Sequence, residues 1–295
     1  MEKLRKKGLA VFKLLFSILL LYLVFTRIPF TEVWEVIRQA QLSYLLMALL
    51  AFAGSKWIAA RRLNLYFHKI KIHLDERSNR KLYLLGMFYN LFLPGGIGGD
   101  AYKGYLLHRT FGTPGKSLAQ VLLLDRLSGL ALLAIYCIIL LPWLSHPRLE
   151  TYQALVWAGI PIGILLYRWA HQRAFPLLHS IFWISLGYSA LVQFAQLVSV
   201  YLILMALGVT GSVVEYLLIF MISSIVAILP LTIGGIGSRE VVFYYGAKWL
   251  GLQEDISIGV SLTFFALTAL VSLLGIVYHF RNPKLNPGSD SLNPK

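Results

Sequence analysis

Five charged residues stand inside otherwise apolar stretches: Asp100, Asp125, Arg126, Arg239 and Glu240, with Lys103 and Lys56 nearer the ends of such stretches. A charge at the centre of a bilayer costs about 2.5–3.5 kcal/mol on insertion scales, and more if unpaired. Such groups either neutralise one another or bind something. Beside them lie two glycine clusters, Pro94-Gly95-Gly96-Ile97-Gly98-Gly99-Asp100 and Pro230-Leu231-Thr232-Ile233-Gly234-Gly235-Ile236-Gly237-Ser238-Arg239-Glu240. Consecutive backbone N–H groups in a glycine-rich turn form an anion-binding concavity, and the helix N-terminus that follows adds partial positive charge. The chemistry this combination offers is capture of an anion, with a lipid phosphate held by the amides and by Arg126 and Arg239.

A structural account competes with that reading. Asp100 and Ser238 are residue types that cap helices, and the charges can pair internally: Arg126 with Asp100, and Arg239 with Glu240 or Asp125. Neighbours on a helix point about 100° apart, so Asp125 and Arg126 address different elements rather than each other. Capping and anion binding also compete for the same N–H groups. Asp100 and Glu240 therefore weigh against a permanently loaded site unless they are paired or protonated.

Other chemistries lack their residues. Gly115-Lys116-Ser117 resembles the end of a phosphate-binding loop, but Thr110 stands where the first glycine is required. The seven histidines are scattered without metal-ligand spacing, and Cys137 is the single cysteine, so no metal or disulfide is expected. No nucleophile–base grouping emerges, and the expectation is a protein that is not an enzyme and needs no cofactor.

The elements that must position these groups are membrane helices. Hydrophobic residues make up 58% of the chain, charged ones 14%, and mean hydropathy is +0.69; soluble domains carry about 25% charged residues. The net charge of +14 does not point to nucleic acid, because the basic residues lie at the ends of apolar segments rather than on one face. A span needs about 20 apolar residues; the candidates are 9–25, 42–60, 117–141, 152–169, 177–207 and 256–280. Segments 82–108 and 216–250 carry the glycine breaks near their middles. Each half of these is roughly 18 Å of helix, too short to cross, so each is expected to enter and leave on one side. The fold class is thus an all-α polytopic membrane protein with about six full spans and two re-entrant helical hairpins.

Basic flanks set the orientation. Lys3, Arg5, Lys6 and Lys7 place the N-terminus in the cytoplasm, ahead of an uncleaved first span. Arg61, Arg62, Lys69 and Lys71 follow two crossings later, Lys103, Arg109 and Lys116 follow the first hairpin, and Arg168 and Arg173 end the fourth span. The second hairpin is flanked by Glu215, Glu254 and Asp255, and the last span ends at Arg281 and Lys284 in the cytoplasm. The chain then reads as one membrane domain over 1–284, in two inverted copies of about 1–146 and 152–281, with 285–295 a disordered tail. Inverted repeats with broken helices are a transporter pattern. Residues 28–40 suit an interfacial helix, and 63–74 an extended or interfacial piece.

The motifs Asn90-Leu91-Phe92-Leu93-Pro94-Gly95-Gly96-Ile97-Gly98-Gly99-Asp100, Asp125-Arg126-Leu127-Ser128-Gly129 and Gly234-Gly235-Ile236-Gly237-Ser238-Arg239-Glu240 resemble, in order and spacing, the membrane region of lysylphosphatidylglycerol synthases. That wider family is called flippase-like, and some of its members are labelled dolichol-phosphate-glucose synthetase-like. The resemblance implies a bacterial or archaeal cytoplasmic-membrane protein that moves lipids between leaflets. It carries a site role to Asn90, Gly95, Gly96, Gly99, Asp100, Arg126, Gly235, Gly237, Arg239 and Glu240; neighbouring Pro94, Gly98, Lys103, Asp125, Gly234 and Ser238 complete the candidate site. The aminoacyl-transferring domain of the full-length synthases has no counterpart, so synthesis of lysyl-lipid is not expected. Asp125 also replaces the Glu often found there, a shorter reach.

Three functions are compatible with this. The first is a lipid transporter or flippase, not ATP-driven, for a phosphate-bearing lipid. The second is a membrane-embedded transferase using Asp100 or Glu240 as a base on a lipid-linked sugar or amino acid. The third is a non-transporting partner of a lipid-modifying enzyme. The expected partners are membrane lipid, such an enzyme, or a second copy of the chain.

Overall fold

The computed structural model describes residues 30–92, 97–144, 153–228, 235, 237–280 and 285–286, with positions 15, 19, 22 and 26. Nearly all of these are helical. The helices are α1 (Phe30–Arg38), α2 (Leu42–Lys69), α3 (Glu76–Phe92), α4 (Gly98–Phe111), α5 (Gly115–Leu140), α6 (Gln153–Ala174), α7 (Phe182–Ala206), α8 (Val213–Ile228), α9 (Ser238–Leu250), α10 (Glu254–Leu273) and α11 (Ile276–Phe280). Short 3-10 turns, Leu141–Trp143 and Pro176–Ile181, extend α5 and precede α7.

Four helical runs among the described residues are long and apolar enough to cross a membrane: Leu42–Lys69, Gly115–Trp143, Pro176–Ala206 and Glu254–Phe280. The protein is therefore a polytopic helical membrane protein. Helix α6 has 22 residues with Pro161 inside and is not one of these four. It still turns Leu155, Ile162, Leu165, Leu166 and Trp169 outward, a stripe at helical spacing that suits lipid rather than water. Most of the expected first span, 9–25, lies outside the described residues.

One expectation about local structure is corrected. Residues 63–69 are not an extended piece but the last two turns of α2, which runs to Lys69. Leu63, Tyr66 and Phe67 are fully buried and continue the helical period past Arg61 and Arg62, against Leu107, Leu118 and Val121 of the same core cluster. The chain turns only at Ile70–Leu74, with Lys71 at φ 64°. Helix α1 does form, with Val33 buried and Trp34 exposed, and packs on α10.

Helices in a bilayer gain no hydrophobic free energy by leaving lipid for each other, so small and hydroxyl residues that permit close approach hold them together. The most extensive contact, α2 against α7, follows that rule. Ala48, Phe52, Ser55 and Ala59 face Ser185, Ser189, Val192, Gln196 and Ser199, all buried. Ser199 donates across the interface to the Ala48 carbonyl at 2.8 Å. Other contacts include three matched pairs: α3 with α4 and α8 with α9, α4 with α5 and α9 with α10, α8 with α5 and α3 with α10. A second, larger core lies where α2, α7, α8, α9 and α10 meet, around Phe52, Val200, Phe220, Phe243 and Phe264. The start of the expected tail is anchored: Leu285 is buried, and Asn286 accepts from Asp75 N and donates to Ser78 Oγ.

The α3–α4 pair depends on a glycine contact. Gly99 lies so close to Gly86 of α3 that an added Cβ would overlap the Gly86 carbonyl, and a Cβ on Gly86 would meet the Lys103 methylenes at 2.8 Å. Gly54, in α2, faces open space. Gly99→Ala should lower the unfolding midpoint in detergent, with a loss of about 1–3 kcal/mol typical of overpacking. Gly54→Ala should hold or raise it, by up to about 1 kcal/mol through reduced chain entropy. Equal midpoints for the two variants would refute the close-approach account.

Candidate functional site

The site grows from the two interrupted helices. At the first break, α4 begins at Gly98 without a side-chain cap of its own. Asn90, near the end of α3, supplies the missing acceptor: its Oδ1 receives the Gly99 N–H at 2.8 Å. Asp100 is thus freed from capping. Its Oδ1 pairs with Lys103 Nζ at 2.7 Å and its Oδ2 accepts from Arg126 Nε at 2.5 Å. Lys103 is 4% exposed, and its ammonium also lies 5.2 Å from the Tyr83 ring. One carboxylate therefore serves two cations, and the expected Arg126–Asp100 pair is present.

At the second break the same problem is solved differently. Gly235 and Gly237 take φ of +82° and +85°, a left-handed conformation that glycine adopts without a Cβ penalty. Glu240, 1% exposed, folds back from the third position of α9 so that its Oε2 receives the Gly237 N–H at 2.6 Å. Its Oε1 accepts from Ser261 Oγ of α10 at 2.9 Å. Ser238 donates its hydroxyl to the Gly235 carbonyl at 3.0 Å and does not cap the helix. Glu240 is committed to the turn.

Of the other expected pairings, Asp125 is not the partner of Arg239, and Glu240 acts on Arg239 through its nearby charge without an ion-pair contact. Asp125 belongs to Arg62, whose Nε and Nη2 reach Asp125 Oδ1 at 2.9 and 2.8 Å. Nη2 also donates to the Asp125 carbonyl at 2.9 Å, and Nη1 to Ser189 Oγ at 2.8 Å. Arg62 is 4% exposed, so this is a desolvated clamp joining α2, α5 and α7. Charge counting alone assigns Arg62 to a cytoplasmic flank. The signal that places it inside is the run of buried positions at Ala48, Phe52, Ser55, Ala59, Leu63 and Tyr66, which carries the helix past residue 60.

Arg239 rests instead on aromatic faces, its Cζ 5.1 Å from the Phe264 centroid and 5.9 Å from that of Phe220. Lys56 does the same, with Nζ 4.5 Å from the Phe52 ring. The three rings form one stack, Phe52 to Phe264 at 5.3 Å and Phe264 to Phe220 at 4.6 Å. Among the described residues, neither Lys56 nor Arg239 has a carboxylate within ion-pair distance. Neither Phe52, Phe220, Phe264 nor Tyr83 stands out from composition or motif, since aromatic residues pervade the chain.

These groups enclose a chamber of about 310 Å³. Asn90, Asp100, Lys103, Asp125, Arg126, Gly235 and Arg239 line it, and Lys56 and Tyr83 join them. Gly98, Gly99, Gly237, Ser238 and Glu240 are not on its wall but build the helix starts behind it. Pro94, Gly95, Gly96 and Gly234 lie outside the described residues. Sharing Asp100, Arg126 and Ile228 with the chamber is a larger apolar groove of about 620 Å³ between α4 and α5, lined by Ile97, Ala101, Gly104, Leu118, Leu122 and Leu123 among others. The arrangement joins a polar, basic compartment to an apolar one.

The clamp gives a stability test. Removing one partner of a buried ion pair leaves the other charge uncompensated, typically at about 3–5 kcal/mol, whereas replacing both by apolar groups is far less costly. Arg62→Met should sharply lower the detergent unfolding midpoint, and Arg62→Met with Asp125→Leu should recover much of the loss. A double variant as unstable as the single would show that the two residues do not act as a pair.

The profile of the family described as Lysylphosphatidylglycerol synthase TM region matches residues 10–275. The curated proteins contain no match to the chain.

Proposed function

The chain belongs to the lysylphosphatidylglycerol synthase TM region family, a family of membrane proteins, and on that premise we propose that it carries a phosphate-bearing lipid, phospho- or polyprenyl-linked, between the two leaflets of the bacterial or archaeal cytoplasmic membrane without an ATP-driven motor. The observation that carries the proposal is the basic chamber at the junction of two interrupted helices. Lys56, Lys103, Arg126 and Arg239 converge there, and such a concentration of cations within a membrane protein marks a site for negative charge. The adjoining groove gives the same molecule's hydrocarbon chain a lining of Ala, Gly, Leu and Ile, so that headgroup and tail find separate compartments that meet at Asp100 and Arg126.

The two helix pairs act as re-entrant hairpins. Their arms have 17, 14, 16 and 13 residues, roughly 20–26 Å at 1.5 Å per residue, which is short of a hydrocarbon core about 30 Å thick. The matched contacts of α3–α4–α5 and α8–α9–α10 support two inverted copies of one unit, with both termini in the cytoplasm. In that arrangement each hairpin brings its tip to the chamber from a different side, and relative movement of the two copies exposes the headgroup to each leaflet in turn.

A transferase reading finds less support. Asp100 is held by Lys103 and Arg126, and Glu240 by Gly237 and Ser261, so neither carboxylate is free to act as a base. The protein acts on its lipid without changing it.

Reconstituted in liposomes with a fluorescent phospholipid, the protein should accelerate exchange between leaflets. Arg126→Ala or Arg239→Ala should each slow that exchange at least about tenfold, as expected from losing a charge-assisted hydrogen bond worth about 1.5–3 kcal/mol. Size-exclusion profiles should stay monodisperse. Exchange at the unsubstituted rate in both variants would remove the chamber from the pathway.

A further inference from the structure

The carboxylates and aromatic faces around the chamber are already taken by the protein's own cations, and we infer that it accepts lipids with an anionic headgroup and rejects those whose headgroup carries an ammonium group. This inference rests on the lipid-carrier reading above and narrows it to a headgroup class. Lipids of both kinds bear a phosphate, and only the first is expected to pass.

Two kinds of side chain hold an ammonium group away from water, a carboxylate and the face of an aromatic ring. Around the chamber both are occupied. Asp100 meets Lys103 Nζ at one oxygen and Arg126 Nε at the other. Asp125 meets Arg62. Lys56 lies on Phe52, Lys103 near the Tyr83 ring, and Arg239 on Phe220 and Phe264. Even the neutral acceptor Asn90 Oδ1 already receives the Gly99 N–H. An incoming ammonium group finds each of these seats filled.

The balance of charge points the same way when the acids and bases behind the wall are included. Lys56, Lys103, Arg126 and Arg239 line the chamber with Asp100 and Asp125. Arg62 stands against Asp125, and Glu240 acts on Arg239 through its nearby charge. Five bases against three acids leave two positive charges when all are ionised, and one when a lysine gives up its proton. The stretches joining the helix pairs, 93–97 and 229–237, contain no ionisable side chain to alter that sign. A phosphodiester without an amine lowers the excess. A zwitterionic headgroup brings the same phosphate together with a cation that has no acid or ring to rest on, and a charge without a partner is costly in a low-dielectric interior.

The test uses full-length protein in liposomes and follows leaflet exchange of three phospholipids that share one fluorescent acyl chain. These are phosphatidylethanolamine, its N-acetyl derivative and phosphatidylglycerol, each corrected for exchange in protein-free vesicles. The first two differ at a single nitrogen, so acetylation removes the ammonium charge and leaves the chains and phosphate unchanged. The N-acetyl derivative and phosphatidylglycerol should each exchange at least about tenfold faster than phosphatidylethanolamine, in keeping with the cost of a charge left unpaired. Lys56→Gln lowers the excess and uncovers the Phe52 face, and should bring that ratio to within about threefold. Lys248→Gln, exposed on α9 and not on the chamber wall, should leave it intact.

Phosphatidylethanolamine exchanged as fast as its N-acetyl derivative, or faster, overturns the inference while leaving the lipid-carrier reading in place. A ratio that falls as far in Lys248→Gln as in Lys56→Gln assigns the preference to surface charge and overturns it likewise. Absence of exchange for all three lipids removes both readings. The unsubstituted protein's ratio decides the matter even if Lys56→Gln misfolds.

Discussion

Charge and bare backbone placed in apolar surroundings must find partners, and in this protein the way they do so sets both the architecture and the character of the site. Water is absent from a bilayer core, so an unmatched carboxylate or amide has nothing else to bond. Three acids within the helical bundle are accordingly committed: Asp125 to Arg62, Asp100 to Lys103 and Arg126, and Glu240 to the Gly237 amide and the Ser261 hydroxyl. Each commitment also joins elements that would otherwise share only weak packing. The Arg62 clamp ties α2, α5 and α7, Asp100 ties α4 to α5, and Glu240 ties α9 to α10. On the chamber wall the bases Lys56, Lys103, Arg126 and Arg239 outnumber the acids Asp100 and Asp125 and give the chamber its sign.

The two helix breaks show how similar glycine motifs come to do different work. Both place an acid at the third position of the helix that follows, Asp100 in one and Glu240 in the other. In the first, Asn90 takes over the exposed amide of Gly99, and Asp100 is free to face the chamber and gather two cations. In the second, no residue from the preceding arm takes that role among the described residues, and the longer Glu240 reaches back to the Gly237 amide itself. One extra methylene separates an acid that lines the chamber from an acid that secures a turn. The helix-end amides emphasised by the sequence reading are partly occupied in this way, and side-chain cations carry most of the chamber's positive charge.

Much of the site could be read from the chain because its members are unusual for their setting. A charge or a glycine run in an apolar stretch is conspicuous, which is why Asn90, Asp100, Lys103, Asp125, Arg126, Gly235 and Arg239 stand out in the sequence. Pairing was less legible. Depth along the chain matches Arg126 with Asp100, but it does not identify Arg62 as the partner of Asp125, since the sequence has no measure of which helix lies beside which. Arg62 was concealed by its neighbour Arg61, because a basic doublet at the end of an apolar stretch looks like a membrane boundary. The phenylalanine stack was hidden by the commonness of its residue type: Phe52, Phe220 and Phe264 lie on three helices far apart in sequence, and only their meeting makes a cation seat.

Sequence by itself determined that this chain is a helical membrane protein, where its helices are interrupted, and which ionisable groups must be buried, because hydropathy and helix breaking are local properties of the residues involved. Tertiary structure decided which acid meets which base, and which cations line the chamber. That outcome depends on contacts between α2, α5, α8 and α10, elements separated by many tens of residues. Electroneutrality in a low-dielectric interior is a condition on the whole neighbourhood, and no window along the chain contains it.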